Sequence, residues 1–265
     1  MSRWWGQQDV GENQTLRWEI GPRDLWITRA DREWRVATRL LPDERERPSA
    51  PPAPSDPPPN DSDVHLRRYA GEHQRRMRLQ PALPDRPLVV RPVVPIFVPP
   101  TRSATLYLSS PLWLRIFLED ESVPVIDEPL DRPSDTWFGP SPTQGTLCYA
   151  GRTAARLRSD AVRQLRHRAV VVVLVENRGT SVLEIERMSV PVTELSISAD
   201  SDGRLWTDRL VMSQDDRSGA TVTVAPEHPS NSDFSRVAEP RSRRARGSLF
   251  QAFAGHWTAE DRLGA

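Results

Sequence analysis

Short strand-prone runs separated by turn residues follow one another from Leu16 to Val224, and almost nowhere does the sequence keep a helical period. Leu16-Arg17-Trp18-Glu19-Ile20 alternates apolar and polar side chains, the two-residue period of a half-buried strand. Gly21-Pro22 marks a turn, Leu25-Trp26-Ile27 the next strand, and Glu33-Trp34-Arg35-Val36 a third. Three short strands in succession predict a meander, with Trp18 and Trp34 as large buried side chains whose indole N–H groups each need an acceptor. Residues 88–98 (LVVRPVVPIFV) are strand-prone, but Pro92 and Pro95 force an edge or a kink. Residues 169–175 (AVVVVLV) are apolar without alternation, which predicts burial on both faces. Asp200-Ser201-Asp202-Gly203 is a hairpin signal between two further strand patterns, and residues 220–224 alternate again. Strands at this spacing predict a mainly β fold of sandwich-like antiparallel sheets, with an N-terminal meander, a Pro-rich insert and one short C-terminal helix.

The helix is expected from Ser248, a good N-cap, to Trp257. Leu249, Phe253 and Trp257 fall at i, i+4 and i+8 with Phe250 beside them, one apolar face suited to docking. The run Arg241, Arg243, Arg244 and Arg246 precedes it. Such a helix docks on its own domain, on a partner, or peripherally on an anionic membrane.

Between the meander and the rest, residues 42–63 (PDERERPSAPPAPSDPPPNDSD) hold Pro, Ser and charge with almost no apolar anchor, so burial cannot offset their ordering entropy. The expected organisation is a Trp-rich meander (1–41), a disordered Pro-rich linker (42–63) and a β-sandwich core (64–226). A flexible basic linker (227–245) and a helical tail (246–265) follow.

The 265 residues are 37% hydrophobic and 27% charged, with zero net charge and a pI near 7.0, which removes a basic nucleic-acid footprint. All 36 basic residues are Arg. A single cysteine excludes an intrachain disulfide framework and suits a reducing compartment. The N-terminus lacks the apolar core of a signal peptide, and no apolar run is long enough to span a bilayer. These features predict a cytoplasmic protein.

Several blocks together resemble a family known as Domain of Unknown Function family 432. They are RWEIGPRDLWI, EWRVA, PLVVRPVVPIFVPP, LYLSSPLWLR, SDTWFGPSPTQGTLCYAGRTAARL, HRAVVVVLVENR, and RMSVPVTELSIS followed by GRLWT. They cover most of the chain outside the Pro-rich insert and the tail. The family has no assigned activity, so the resemblance implies no catalytic residue. Relatives can be encoded near mechanosensitive-channel genes, so the resemblance implies such a channel as one expected protein partner.

The stretch 132–157 is the densest in demanding side chains. Arg132, Asp135, Trp137, Tyr149, Arg152 and Arg156 are candidates for a polar pocket, since convergent arginines and aromatic rings suit an anionic or sugar-like ligand. The competing reading pairs Arg152 or Arg156 internally with Asp135 or a Glu and leaves Trp137 and Phe138 in the core. Cys148 with His167 as its base is a weaker candidate, because Leu147-Cys148-Tyr149 is a strand context in which a thiol acts as a small hydrophobe. Asp200, Asp202 and Gly203 echo a calcium loop, but Arg209 stands where a bidentate Glu is required. The five histidines have no metal-ligand spacing, and no phosphate loop, dinucleotide fingerprint or nucleophile elbow is present. No catalytic residue, metal or cofactor is therefore nominated. Three functions remain open: first a non-catalytic interaction or regulatory module for a protein partner, then a small-molecule binder using residues 132–157, and third an enzyme of unknown type.

Overall fold

The structure is a computed structural model that describes residues 3–42, 47–71, 75–119, 121–141, 143–216, 219–225, 233–242 and 253–254. The meander is present as Thr15–Ile20, Arg23–Arg29 and Glu33–Leu40, joined antiparallel in that order. Ile20 faces Arg23, so Gly21-Pro22 alone makes the first turn. Gly21 adopts φ +55°, and a β-carbon there would lie 2.5 Å from the His167 ring. Only glycine supplies both that backbone and that close approach.

Val64–Ala70 extends this sheet beyond Glu33–Leu40, and Ala53–Pro54 borders Thr15–Ile20 on the other side. Within the Pro-rich stretch, Ala50 N donates to Glu19 O and Ser55 N to Thr15 O. Arg47 reaches the buried Asp24 carboxylate at 2.6 Å, where Arg39 (2.9 Å) and Arg17 (3.3 Å) also converge. Arg17 and Arg39 each lie 5.3 Å from the Trp26 ring centre. Burial alone would push the Asp24 carboxyl upward; hydrogen bonds from Arg47 and Arg39 overcome it and hold the group below its usual range.

A second antiparallel sheet orders Gly6–Asp9, Arg76–Ala82, Trp113–Leu118 and Ile126–Pro129. In the largest sheet Arg168–Asn177 is paired antiparallel with Ser103–Pro111 and parallel with the central strand Leu205–Asp215. Val171, Val173 and Val175 enter the main core, while Val170 and Val172 pack with Val162 and Trp206 on the opposite face. That two-sided burial is what an apolar run without alternation requires. The remaining strands of this sheet are Ile197–Ala199, Gly219–Ala225 and Ser235–Ala238.

Pro92 and Pro95 interrupt their stretch as expected, leaving Leu88–Val90 and Ile96–Val98 in different sheets. Leu88–Val90 lies between Gln144–Ala150, with which it runs parallel, and Arg187–Val190. Asp135–Ser141 forms a hairpin with Gln144–Ala150 at this sheet's edge. One apolar cluster runs from Trp4 through Trp18, Leu79, Leu106 and Val173 to Ala238 and so joins the meander to the larger sheets. Within it, the Trp18 indole nitrogen finds no acceptor among the described residues.

The expected C-terminal helix requires correction. Phe253–Ala254 is a strand paired antiparallel with Arg187 and Met188, so the backbone there satisfies an open sheet edge instead of closing helical turns. Leu249, Phe250 and Trp257 lie outside the described residues. Among the described residues the helical segments are the single turns Ser159–Ala161 and Val192–Glu194. None is long and apolar enough to cross a membrane.

Candidate functional site

Strand register brings remote residues together below the Asp135–Ser141 hairpin. Trp113 faces Pro129, Pro111 faces Arg168, and Asp135 faces Tyr149. The segment between Pro129 and Asp135 crosses this junction and carries Asp131 and Arg132. The result is a shallow cleft open to solvent, lined by Trp113, Tyr149, Asp131, Arg132, Arg152 and Arg168. Pro84, Pro111, Pro129 and Pro133 complete its apolar walls.

The two rings are tilted at 42° with centres 6.3 Å apart. The Tyr149 hydroxyl donates to Asp85 Oδ1 at 2.9 Å. Burial first, then that hydrogen bond and the Asp85 charge, push Tyr149 up to about 12, so it is a donor and not a base at neutral pH. Arg86 lies 5.1 Å from the Tyr149 ring centre and pairs with Asp135 at 3.2 Å. Arg241 lies 5.0 Å from the Trp113 ring centre and forks onto both Asp127 oxygens at 2.6 Å. Both aromatic side chains are thus fixed from behind, which preorganises the cleft.

Arg168 is buried, and each of its three guanidinium nitrogens donates a hydrogen bond. Its Nε donates to Ser109 Oγ at 2.8 Å, Nη2 to Ser109 O at 2.9 Å, and Nη1 to Asp131 Oδ2 at 2.7 Å. Burial lowers its pKa; Asp131 opposes that effect and Arg152 adds to it. An arginine stays protonated at neutral pH even so. Arg152 is exposed and donates one bond, to the Arg132 carbonyl at 2.9 Å. The Arg132 guanidinium is also exposed, and no carboxylate of a described residue pairs with it. The cleft therefore presents two available guanidinium groups at its rim, while the one carboxylate that lines it among the described residues is already occupied by Arg168.

Of the six residues nominated from sequence, Arg132, Tyr149 and Arg152 line this cleft. Asp135 stands behind Tyr149 through Arg86, not through Arg152 or Arg156. Trp137 lies on the exposed hairpin, 39% accessible, with its indole donating to Ser141 O. Arg156 is held by a backbone bridge to Tyr107 and does not line the cleft. Sequence reading missed Trp113, Asp131 and Arg168; Asp131 was the visible signal, a carboxylate adjoining Arg132.

The Cys148 and His167 side chains have separate surroundings. Cys148 is fully buried with Val89 and Phe138, its sulfur 4.0 Å from Ser189 Oγ, and burial raises its thiol pKa. His167 packs on Gly21. The Asp200 carboxylate caps its turn by accepting from the Asp202 and Arg204 amides and the Trp206 indole. Among the described residues no group of three or more His, Cys, Asp or Glu is arranged to hold a metal ion.

A family model described as Protein of unknown function (DUF432) matches residues 4–256. No curated protein and no solved structure matches the chain.

Proposed function

We propose, from the premise that the chain belongs to the DUF432 family, that it is a non-catalytic binding module whose ligand is a small anion with an apolar or ring-shaped body. The observation that carries this reading is the convergence of exposed Arg132 and Arg152 on a cleft floored by Trp113 and Tyr149. Guanidinium groups present paired donors to carboxylate or phosphate oxygens, and the proline and aromatic walls suit an apolar body. Tyr149 and Arg168 are spent on internal partners, so the cleft orients a ligand without offering a base or nucleophile of its own.

Calorimetric titration with phenyl phosphate at constant ionic strength tests it. Saturable binding is expected, weakened about tenfold or more by Arg152→Gln, since a hydrogen bond to a charged group contributes about 1.5–3 kcal/mol. Benzyl alcohol, which lacks the charge, should not bind. Equal affinity in the variant overturns the assignment.

A second reading, a protein partner, has its own observation. Phe97 and Val182 are diagonal neighbours across the Ile96–Val98 and Leu183–Ile185 pair, and are 60% and 55% accessible. Val94 and Leu157, 68% and 58% accessible, stand two residues beyond the Pro92–Ala155 bridge. Exposed apolar groups gathered this way are a feature of contact surfaces. Phe97→Asp would abolish capture of such a partner and leave phenyl phosphate binding intact.

A further inference from the structure

Asp135–Ser141 is the outer strand of its sheet, bonded to Gln144–Ala150 on one side and, among the described residues, open on the other. At the far edge of the same sheet a two-residue segment, Phe253–Ala254, already adds to Arg187 and Met188. Two bonds fix where the free backbone groups point. Ala150 N donates to Ser134 O at 2.8 Å, and Tyr149 N donates away from Asp135, to Pro87 O at 2.9 Å. Bonded and unbonded pairs alternate along an antiparallel ladder. Ser134 and Thr136 therefore spend their backbone groups inward, while Asp135 and Trp137 present theirs outward. Pro133 has no N–H, and the register breaks between Phe138 and Ser141, so the open edge is short. Pro133, Ser134, Asp135 and Trp137 are all exposed.

The side chains along this edge are graded. Asp135 faces Tyr149 and Trp137 faces Leu147, so all four stand on one face of the hairpin. Trp137 and Leu147 are 39% and 43% accessible, and the Asp135 carboxylate is paired with Arg86 at 3.2 Å. Where the strand begins, Pro133 and Ser134 line the aromatic cleft together with Arg132 and Arg152. From Trp137 back to Pro133 the edge thus runs from an exposed apolar pair, past Tyr149, to two exposed guanidinium groups. A chain laid antiparallel on this strand has its C-terminus at the arginine end.

We propose that the edge and the cleft together bind the free C-terminal segment of a partner protein as an added antiparallel strand. The segment's last residue is apolar and lies opposite Asp135, with its side chain against Tyr149 and Trp113. Its terminal carboxylate meets Arg132 and Arg152, and its third residue from the end lies opposite Trp137. The inference rests on the anion-binding reading of the cleft and names the ligand, whose apolar body and charge are one residue's side chain and carboxylate. In strand addition the main-chain bonds supply affinity and the pocket beside them supplies specificity.

The test is calorimetric titration of the full chain at constant ionic strength. The probes are N-acetylphenylalanine, an acetylated pentapeptide of alternating valine and threonine ending in phenylalanine, and that peptide's C-terminal amide. The free-acid pentapeptide should bind at least about tenfold more tightly than N-acetylphenylalanine. Amidation, or Arg152→Gln with folding checked by circular dichroism, should weaken it about tenfold or more. N-methylation of the third residue from the end, whose N–H points at Trp137 O, should remove the gain over N-acetylphenylalanine. N-methylation of the penultimate residue, whose N–H points away, should leave it. Equal effects of the two methylations, or a pentapeptide no tighter than N-acetylphenylalanine, overturn strand addition and leave the cleft as a small-anion site. A pentapeptide that fails to bind where phenyl phosphate binds has the same meaning. An amide that binds as tightly as the free acid also overturns the inference, and phenyl phosphate binding to Arg152→Gln then decides the cleft reading on its own.

Discussion

Acidification should destabilise this protein through His167 at a pH above the range in which the arginine-held carboxylates Asp24 and Asp127 contribute. The ring is 5% accessible, lies against Gly21, and leaves Nδ1 without a partner among the described residues. Burial lowers its pKa from 6.5 to about 4; Asp131 opposes the shift, and Arg168 and Arg163 add to it. The unfolded chain then binds the proton first, so stability rises with pH across this window. The contribution is complete above the unfolded value near 6.5, is lost as pH falls toward 4, and then levels off. At about pH 5 the loss is about 2 kcal/mol, and its limit is about 3 kcal/mol. Carboxylates held low by arginines, such as Asp24 and Asp127, contribute losses only below about pH 4 and leave the window clear. Urea unfolding at about pH 7.5 and about pH 5, for the native chain and His167→Gln, reads the difference. The native chain should lose about 2 kcal/mol more than the variant between the two conditions. Equal losses, or a native protein that gains stability on acidification, would refute the reasoning.

Asp24→Asn should cost about 3–5 kcal/mol in urea unfolding and speed tryptic cleavage at Arg47, because three guanidinium groups lose their shared buried carboxylate; a change below about 1 kcal/mol contradicts that account. Gly21→Ala should lower stability by about 1–3 kcal/mol, combining the strained φ with a collision against His167; a neutral thermal melt would show that the turn relaxes freely. Cys148 should react slowly with a thiol reagent in the native state and rapidly in denaturant, since its sulfur is buried and its pKa is raised; fast native labelling argues against the packed strand.

Local pattern carried what was local. The alternation of Leu16, Trp18 and Ile20 marks a strand whose same three side chains enter the core. The continuous run Val170–Val175 signals a strand buried on both faces, and the two apolar clusters flanking it are the reason. Its parallel pairing with Leu205–Asp215 was not legible, because register between segments some thirty residues apart is a tertiary property. The spacing of Leu249, Phe253 and Trp257 has a helical period, yet Phe253 takes the open edge at Met188; a sheet edge outcompetes so short a helix. In the cleft, Arg132, Tyr149 and Arg152 were visible because they lie near each other in the chain. Trp113 and Arg168 arrive from distant strands through the Pro129 and Pro111 pairings, which no local period encodes.

The most direct test of the cleft as an anion site is a crystal structure of the full chain grown with phenyl phosphate. The phosphate oxygens should lie about 2.7–2.9 Å from the Arg152 guanidinium, the spacing of a charge-assisted hydrogen bond, with the phenyl ring against Trp113 and Tyr149. A cleft filled only by water at saturating ligand, with phenyl phosphate bound elsewhere, would contradict the account.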